Sequence, residues 1–178
     1  MARNVEIKAR VADMPRIRHL ASEIANEGPW TLLQVDIFFH TASGRLKLRT
    51  INDEESELIY YHRADQTGPK TSTYVRTPTA DPNGLRFVLS AVLGELGEVH
   101  KRRTLFLVGQ TRIHLDEVVD LGNFIELEVV LRDDQSETDG EMIAAELIKR
   151  LEIRREDLCD GAYLDLFGAS QVRRAADE

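Results

Sequence analysis

One six-residue stretch sets the fold of this chain, Gly44-Arg45-Leu46-Lys47-Leu48-Arg49. Its cationic and apolar residues alternate, so a β-strand would carry the three cations on one face and the two leucines on the other. Side chains two residues apart on such a face lie roughly 7 Å apart. Each neighbouring like-charged pair then costs about 2 kcal/mol at an effective dielectric constant near 20. If the face is enclosed, an anion is needed to relieve this repulsion.

Two interpretations of this strand are open, because charged strand faces have two common roles. A sheet edge can be guarded by charges that are exposed to water, and a charged face is usually a solvated one. The same alternation recurs, however, in four other segments, with carboxylates at part of the positions: residues 4–11, 99–108, 112–119 and 124–131. This recurrence favours a charged surface shared by several strands over an isolated edge.

Length and composition predict a single globular domain. The chain has 178 residues, of which 42% are hydrophobic and 30% are charged, so it holds enough apolar material for a core. We place the domain at residues 1–170 and expect residues 171–178 to form a disordered tail. The composition leaves the choice between a monomer and a homodimer open.

Charge and hydropathy argue against two kinds of partner. The formal net charge of −8 speaks against a nucleic-acid partner, since such proteins normally present positive charge. No apolar run approaches the roughly 20 residues of a membrane span, and the first six residues lack the apolar stretch of a signal peptide. The single cysteine, Cys159, fits a reducing compartment. We therefore expect no membrane partner and a cytoplasmic location.

Periodicity and turn signals predict eight strands and three helices. The strands cover residues 4–11, 31–40, 44–49, 57–63, 71–77, 99–108, 112–119 and 124–131. The first helix begins near Asp13 and is ended by Gly28-Pro29, the second runs from Asp81 to about Gly97, and the third spans residues 137–151. The second helix is expected to bury a stripe of four residues: Leu85, Val88, Leu89 and Val92.

These elements predict an α+β fold, an eight-stranded antiparallel closed β-barrel with helices packed on the outside. The apolar strand faces need covering, and the helices can cover them only if the charged faces point into the barrel. The opposite arrangement, with charges outside, would leave three helix stripes without a surface to pack on. The predicted inward set is Glu6, Lys8, Arg10, Arg45, Lys47, Arg49, Arg63, Lys101, Arg103, Arg112, His114, Asp116, Glu126 and Glu128.

The inward charges fall into two groups that suit one kind of ligand. Lysines and arginines form charge-assisted hydrogen bonds with phosphates, and carboxylates bind hard divalent cations such as Mg²⁺ or Mn²⁺. Unpaired charges in a dry interior would be prohibitive, so the interior must be wet, and a metal-bound polyphosphate satisfies both groups. Removing an inward cation such as Arg49 or Arg103 is expected to keep or raise fold stability, because it relieves like-charge repulsion.

Several segments, in order along nearly the whole chain, resemble motifs of the CYTH superfamily, the triphosphate tunnel enzymes. Asn4-Val5-Glu6-Ile7-Lys8 is similar to the ExExK signature of that family, and Gln34-Val35-Asp36-Ile37-Phe38-Phe39 is similar to its Q-x-D-x-Y-F segment. Three further segments resemble its basic strands: residues 44–49, 58–63 and 101–103. The segments that look most like the class IV adenylyl cyclase branch are residues 112–116, 121–128 and 162–166.

The resemblance implies roles for the inward residues. A divalent ion, Mg²⁺ or Mn²⁺, would be held by four carboxylates: Glu6, Asp116, Glu126 and Glu128. A triphosphate compound such as ATP, tripolyphosphate or thiamine triphosphate would be clamped by eight cations: Lys8, Lys47, Arg49, Arg63, Lys70, Lys101, Arg103 and Arg112. Three site residues are expected to act in catalysis: Glu6, Lys8 and Arg63.

Three functions remain open. The leading one is metal-dependent conversion of ATP to cyclic AMP and pyrophosphate, as in class IV adenylyl cyclases. The second is hydrolysis of tripolyphosphate, thiamine triphosphate or a nucleoside triphosphate. The third is non-catalytic binding of nucleotides or polyphosphate, and two departures from the family pattern motivate it. Asn4 stands where the signature has its first glutamate, and Phe38 stands where the family often has tyrosine.

Overall fold

The computed structural model describes residues 2–64 and 66–167, whose strands form one sheet with antiparallel pairing throughout. The strands are β1 (Ala2–Arg10), β2 (Glu27–Phe39), β3 (Arg45–Ile51), β4 (Glu55–Arg63), β5 (Lys70–Pro78), β6 (Glu95–Val108), β7 (Thr111–Val118), β8 (Gly122–Val130) and β9 (Leu158–Cys159). They are ordered β5-β4-β3-β2-β6-β7-β8-β1-β9, and β1 also pairs back with β5. This pairing closes an eight-stranded barrel and confirms the predicted fold class.

Helices pack on the outside of the barrel, as predicted. They are α1 (Met14–Ile24), α2 (Pro82–Leu93) and α3 (Glu137–Arg150). Each begins at a side chain that accepts a backbone N–H of the first turn: Asp13, Asp81 and Ser136. Helix α1 lies over β6 and β7, α3 over β1 and β8, and α2 over β2 and β3. A 3-10 turn, Arg155–Asp157, and helical residues 163–167 follow.

The main apolar core lies between the barrel wall and the helices. Outward side chains of β1, β7 and β8 pack there against α1 and α3, and the fully buried ones include Ile7, Ile113, Leu115 and Leu127. The alternate residues of the same strands, among them Lys8, His114 and Glu126, point into the barrel. The period of two therefore separates an apolar outer wall face from a charged inner one.

Helix α1 ends at Ile24, before the predicted stop at Gly28-Pro29. The chain joins the sheet at once, because the Asn26 N–H donates to the Leu107 carbonyl at 2.7 Å. Gly28-Pro29 lies inside β2, where the pairing with β6 changes register. The residues that were expected to stop a helix therefore form an irregularity in a strand.

Helix α2 ends at Leu93, so the predicted end near Gly97 is wrong. Gly94 has a φ of +77°, a left-handed conformation that glycine adopts without steric cost. The next residue, Glu95, begins β6 opposite Phe39 of β2. Pairing with the sheet therefore replaces the last predicted turn of the helix.

The buried stripe of α2 was predicted only in part. Leu85 and Leu89 pack against the barrel together with Leu93. Val88 and Val92, the other two predicted members, are exposed to solvent. The packed face of α2 therefore repeats every four residues and excludes the two valines.

Two further expectations from the sequence concern the C-terminal end of the domain and the lack of a membrane span. The predicted domain end at residue 170 and the predicted tail at residues 171–178 lie outside the described residues. Across residues 2–64 and 66–167, no helix combines the length and the apolar character that a membrane crossing requires.

Leu127→Ala is predicted to lower the free energy of unfolding by roughly 2–5 kcal/mol. The side chain is fully buried between β8 and the helices, so its truncation leaves a cavity. Urea denaturation followed by circular dichroism measures the difference. Leu33→Ala is the matched control, because Leu33 is 58% exposed, and its effect should stay below about 0.5 kcal/mol. Equal effects would contradict a core between wall and helices.

Candidate functional site

The inner face of the barrel encloses a cavity of about 260 Å³. One end is filled by an apolar group, here termed the plug: Phe38, Val99, Phe124 and Tyr163. At the opposite end the cavity opens to water, because the side chains of Arg76 and Arg112 are 46% and 33% exposed there. This end, termed the mouth, also carries three apolar lining residues: Leu32, Ile51 and Leu105.

The cavity wall carries more positive than negative charge. Its cations are Lys8, Lys47, Arg49, Arg63, Arg76, Lys101, Arg103 and Arg112. Its carboxylates are Glu6, Asp36, Glu57, Glu126 and Glu128. Eight cations against five carboxylates leave a formal net charge of +3 when His114 is neutral and Lys47 is protonated, in a chain whose overall charge is −8. The interior is thus an environment that attracts anions.

Three of these cations share one buried carboxylate, that of Asp36 on β2. Asp36 accepts hydrogen bonds from Lys47 Nζ at 3.1 Å, from Lys101 Nζ at 3.0 Å, and from Arg49 at 2.6 and 2.8 Å. Burial alone raises the pKa of Asp36, but Arg49, Lys101 and Lys47 outweigh it and hold that pKa well below its usual range. One negative charge thus faces three basic side chains, and the cluster has a surplus of two positive charges when all three are protonated.

Arg103 on β6 joins carboxylates from two other strands. Its guanidinium donates to both oxygens of Asp116 at 2.7 and 2.6 Å and to Glu126 at 2.7 Å. Asp116 is fully buried and also accepts the Tyr163 hydroxyl at 2.8 Å. Loss of Arg103 would strand a buried charge, at a cost of about 3–5 kcal/mol. The structure therefore reverses the expected effect of Arg103→Ala: the fold should lose stability.

The two charged residues of the β1 signature are both paired inside the cavity. The Glu6 carboxylate accepts a hydrogen bond from the Arg63 guanidinium of β4. The Lys8 ammonium lies 2.7 Å from Glu126 Oε1 and 3.5 Å from the centroid of the Tyr163 ring. Lys8 is thus held by a carboxylate on one side and by an aromatic face on the other.

The segment after β9, residues 160–167, lies against the plug end of the barrel. Arg63 donates to the Gly161 carbonyl at 2.6 Å, and Arg45 donates to Asp165 Oδ2 at 2.8 Å. Through Tyr163, the segment also supplies part of the cavity wall. Cations at the strand ends therefore tether this segment to the barrel.

His114, Glu126 and Glu128 form a group that could hold a metal ion. One ligand atom from each of the three side chains lies within 4.8 Å of the other two. Burial lowers the pKa of His114, and Arg103 adds to this effect. The imidazole is therefore neutral near pH 7, and one of its ring nitrogens carries a free lone pair.

The two glutamates of this group are ionised, although they are largely buried. Burial raises the pKa of Glu126, but the charges of Lys8 and Arg103 hold it well below its usual range. Burial likewise raises the pKa of Glu128, and the charges of Arg103 and Arg112 act in the opposite direction, so that its pKa lies below the usual value. Both side chains are therefore available as anionic ligands at neutral pH.

The structure brings most of the predicted site residues together. Ten of them line the cavity: Glu6, Lys8, Lys47, Arg49, Arg63, Lys101, Arg103, Arg112, Glu126 and Glu128. Asp116 is covered by Arg103 and Tyr163. Lys70 begins β5, where its Nζ donates to the Gln66 carbonyl at 2.9 Å. The metal, clamp and catalytic roles given to these twelve residues stay predictions.

Two residues of the predicted inward set lie at the edge of the barrel. Arg10 is exposed, and its guanidinium carbon lies 5.0 Å from the centroid of the Phe124 ring. Arg45 is bound to Asp165, as described above. Both lie at the plug end, where β1 and β3 leave the charged interior.

Sequence reasoning gave no role to several residues of the wall. The most prominent are Gln34, Asp36, Tyr61 and Tyr163. Gln34 and Asp36 alternate on β2, so their spacing could have placed them inward. Tyr163 lies two residues after Gly161, in a segment without a clear period, and gave no such signal. The side-chain oxygens of Asn4 and Gln34 have no hydrogen-bond partner within the described chain.

Comparison with known proteins places this geometry in a family. The family model of the CYTH domain matches residues 2–163. No curated protein sequence matches the chain significantly. The fold therefore defines a class of protein, namely closed antiparallel barrels with a charged interior and with helices on the outside. The chain belongs to the CYTH family.

Several solved structures share this fold at low sequence identity. The PH1012 protein of Pyrococcus horikoshii is 22% identical, with a TM-score of 0.81 over 92% of this chain and 98% of that chain. A proposed adenylate cyclase of Vibrio parahaemolyticus is 17% identical, with a TM-score of 0.76 over 93% and 97%. A proposed adenylyl cyclase of Hippeastrum with a dominant triphosphatase activity is 16% identical, with a TM-score of 0.66 over 94% and 96%.

Anion binding to the cavity is predicted to take up protons above pH 7. Burial lowers the pKa of Lys47 to about 7, and Arg49 adds to this effect. At pH 8 this amine is mostly neutral, and a bound phosphate raises its pKa again. Tripolyphosphate affinity should therefore fall as pH rises above 7. Calorimetric titration at pH 8, in buffers of different ionisation enthalpy, measures the proton uptake.

Lys47→Arg is the matched variant for this experiment, because arginine stays charged at every pH used. We expect it to bind tripolyphosphate with a smaller proton uptake and a flatter pH dependence. Equal uptake by wild type and variant would contradict the role of Lys47 in this linkage.

Proposed function

We propose that this protein is a metal-dependent enzyme that acts on a compound carrying a triphosphate chain, held inside the barrel. The observation that carries the proposal is the net charge of +3 on the cavity wall. Buried cations are costly unless an anion compensates them, and a triphosphate presents several negative charges in a row. The clamp would consist of Lys8, Lys47, Arg49, Arg63, Lys70, Lys101, Arg103 and Arg112.

The exposure of the cations supports one orientation of the bound triphosphate in the cavity. The side chains of Lys8 and Lys101, near the plug, are 3% and 2% exposed, whereas that of Arg112 at the mouth is 33% exposed. The terminal phosphate would therefore lie deepest, among the lysines. The organic part of the substrate would lie at the mouth, beside apolar Leu32 and Leu105.

The residues present fit a hard divalent ion such as Mg²⁺ or Mn²⁺. Glu126 and Glu128 offer ionised oxygens, and the buried amide oxygen of Asn4 faces the cavity without a partner. Glu6 lies directly opposite Glu128 across the β1–β8 ladder and completes the proposed set. A bound ion would supply Lewis-acid polarisation of phosphoryl oxygens. Asp116 would act through its contact with Arg103.

The leading reaction is cyclisation of ATP to cyclic AMP and pyrophosphate. The ribose 3′-hydroxyl attacks the α-phosphorus in line and loses its proton to water at the mouth, the bond from this phosphorus to the α–β bridging oxygen breaks, and pyrophosphate leaves. In the proposed direction the α-phosphate lies nearest the mouth, on the side of Glu128 and Arg112, whose side chains are the more exposed of the β7–β8 group. Lys8, Lys47 and Lys101 would hold the departing pyrophosphate through charge-assisted hydrogen bonds.

Hydrolysis of a triphosphate is the second candidate, because it uses the same clamp. The structural similarity to the Hippeastrum protein, whose dominant activity is that of a triphosphatase, supports it. A water molecule would attack the terminal phosphorus and release orthophosphate. This reaction would need water near the plug, where Phe38 and Tyr163 leave little exposed surface. The geometry therefore favours cyclisation.

Phosphorus NMR distinguishes the candidate reactions directly. The protein is incubated with ATP, tripolyphosphate or thiamine triphosphate in the presence of Mg²⁺ or Mn²⁺. We expect pyrophosphate and cyclic AMP from ATP. Orthophosphate would identify a triphosphatase instead, and signals that the protein broadens in the Mg²⁺ samples without forming product would identify a binding module without catalysis. Unchanged signals without broadening would contradict triphosphate binding altogether.

Arg49→Ala is predicted to weaken tripolyphosphate binding by roughly 10- to 100-fold, because hydrogen bonds to charged groups contribute about 1.5–3 kcal/mol. Asp36 keeps Lys47 and Lys101 as partners in this variant, so the fold should persist. Arg132→Ala is the control, because Arg132 is exposed outside the barrel. Calorimetric titration that finds unchanged affinity in Arg49→Ala would contradict the clamp.

Asn4→Glu is predicted to tighten binding of Mg²⁺ or Mn²⁺, because it adds a carboxylate beside Glu6 and Glu128. Asn4→Gln is the matched control, since it has the length of glutamate and no charge. Calorimetry measures the affinity, and the rise in melting temperature on adding Mn²⁺ provides a second readout. If both variants bind the ion equally, Asn4 lies outside the metal site.

The proposal also covers the location, the partners and the oligomeric state of the protein. We propose a cytoplasmic location, in line with the burial of the free thiol of Cys159, and a small-molecule partner rather than a nucleic acid or a membrane. The protein would act as a monomer or a homodimer.

A further inference from the structure

The cavity wall contains a buried imidazole whose Nδ1 atom has no partner. His114 is 4% exposed, and its Nδ1 makes no hydrogen bond with any described residue. A buried polar atom without a partner costs free energy. Such an atom in a ligand cavity indicates a group that is absent from the protein itself.

The surroundings of this nitrogen indicate which group would bind there. Nδ1 lies 3.9 Å from Glu126 Oε2 and 3.8 Å from Glu128 Oε1. These separations are too long for hydrogen bonds. A metal ion roughly 2.0–2.2 Å from each ligand atom holds its ligand atoms about 3–4 Å apart. The two separations from Nδ1 are therefore those expected for ligands of one ion, and one ligand atom from each of the three side chains lies within 4.8 Å of the other two.

Strand geometry fixes this arrangement. His114 on β7 pairs directly with Glu126 on β8, and Glu128 follows two residues later on the same inward face. The β1 residues that pair with Glu126 and Glu128 are Lys8 and Glu6, and the Glu6 carboxylate is bound to Arg63. Glu126 and Glu128 together carry a charge of −2, which balances that of a divalent ion.

We propose that His114 Nδ1 is a metal ligand together with Glu126 and Glu128, and that it biases the site toward ions such as Co²⁺, Fe²⁺ or Zn²⁺ relative to Mg²⁺. Imidazole suits these transition metals, whereas Mg²⁺ prefers oxygen ligands in an octahedral arrangement. The inference rests on the proposed function, because it concerns the ion of that same site.

Ion binding must also release the glutamates from their present partners. Glu126 is held by Lys8 and Arg103 at 2.7 Å each, and Glu128 lies 3.4 Å from Arg112. The same three cations belong to the proposed clamp. A bound anion would draw them away from the glutamates, so tripolyphosphate should strengthen ion binding, and by linkage the ion should strengthen anion binding.

The test measures ion binding without any turnover. Co²⁺ and Mg²⁺ are titrated calorimetrically into the full chain, with and without tripolyphosphate. Pulsed electron paramagnetic resonance of bound Mn²⁺ then reports whether a nitrogen is coordinated. We expect a coordinated nitrogen in the wild type and its loss in His114→Asn, whose amide oxygen takes the place of Nδ1.

The affinity ratio gives an independent readout. His114→Asn should weaken Co²⁺ binding by roughly tenfold or more, with a smaller effect on Mg²⁺. His114→Asp adds a hard anionic ligand and should raise Mg²⁺ affinity. His62→Asn is the control, because His62 is exposed on β4 and outside the cavity wall. Glu128→Gln leaves the imidazole intact and should weaken both ions while the nitrogen signal persists.

The outcomes separate this inference from the proposed function. If the ion binds without a nitrogen signal, and the Co²⁺ to Mg²⁺ ratio is the same in wild type and both His114 variants, the inference is overturned. Product formation in the phosphorus NMR experiment would then still support the proposed function. If no ion binds in either the presence or the absence of tripolyphosphate, both proposals fail.

Discussion

The carboxylate of Asp36 sets the electrostatic constraint on which the interior of this barrel depends. It accepts hydrogen bonds from Lys47, Arg49 and Lys101, although an ion pair in such a buried position often loses more in desolvation than it gains in attraction. The folded state bears this cost because the apolar wall faces outward, where α1, α2 and α3 provide the hydrophobic burial. Because strand alternation puts charged and apolar side chains on opposite faces of the wall, the buried ion pairs and the hydrophobic core can coexist. The remaining positive charge is the part of the network that a ligand would balance.

Much of this arrangement follows from the sequence, because alternation with a period of two determines which residues share a face of a strand. Strand alternation identified all eight barrel strands to within a few residues, and the need to bury three amphipathic helices indicated which face is inside. The end of α2 was predicted wrongly, because both Gly94 and Gly97 can end a helix and the local sequence does not show which of them does. Pairing of β6 with β2 decides that boundary, and such long-range pairing has no local signature. Gly28-Pro29 was wrongly predicted to end α1, because its place in the pairing of β2 with β6 likewise depends on residues distant in the sequence.

The candidate site was harder to predict than the fold, because charge alternation gives the face of a residue and not its partner. Arg103 and Asp116 were assigned to a phosphate clamp and to a metal site, and the structure joins them in one bidentate pair. Glu6 was assigned to a metal, and it is bound to Arg63. These pairs depend on strand register and tilt, which single-strand patterns do not specify. Tyr163 reaches Asp116 from a segment far along the chain, so tertiary packing alone brings it to the cavity.

The ion pairs of the cavity wall also explain why one chain would bind an anion and a cation together. Lys8 and Arg103 neutralise Glu126, while Asp36 neutralises part of the positive charge on the other side of the barrel. Each internal pair thus acts as a placeholder for a ligand of the same charge, which keeps the side chains positioned before the ligand arrives. Binding only one ligand would leave the displaced partners unpaired in a buried site, at a cost of several kcal/mol. Binding both together would restore every pairing, so the network itself favours a metal-bound polyanion over either component alone.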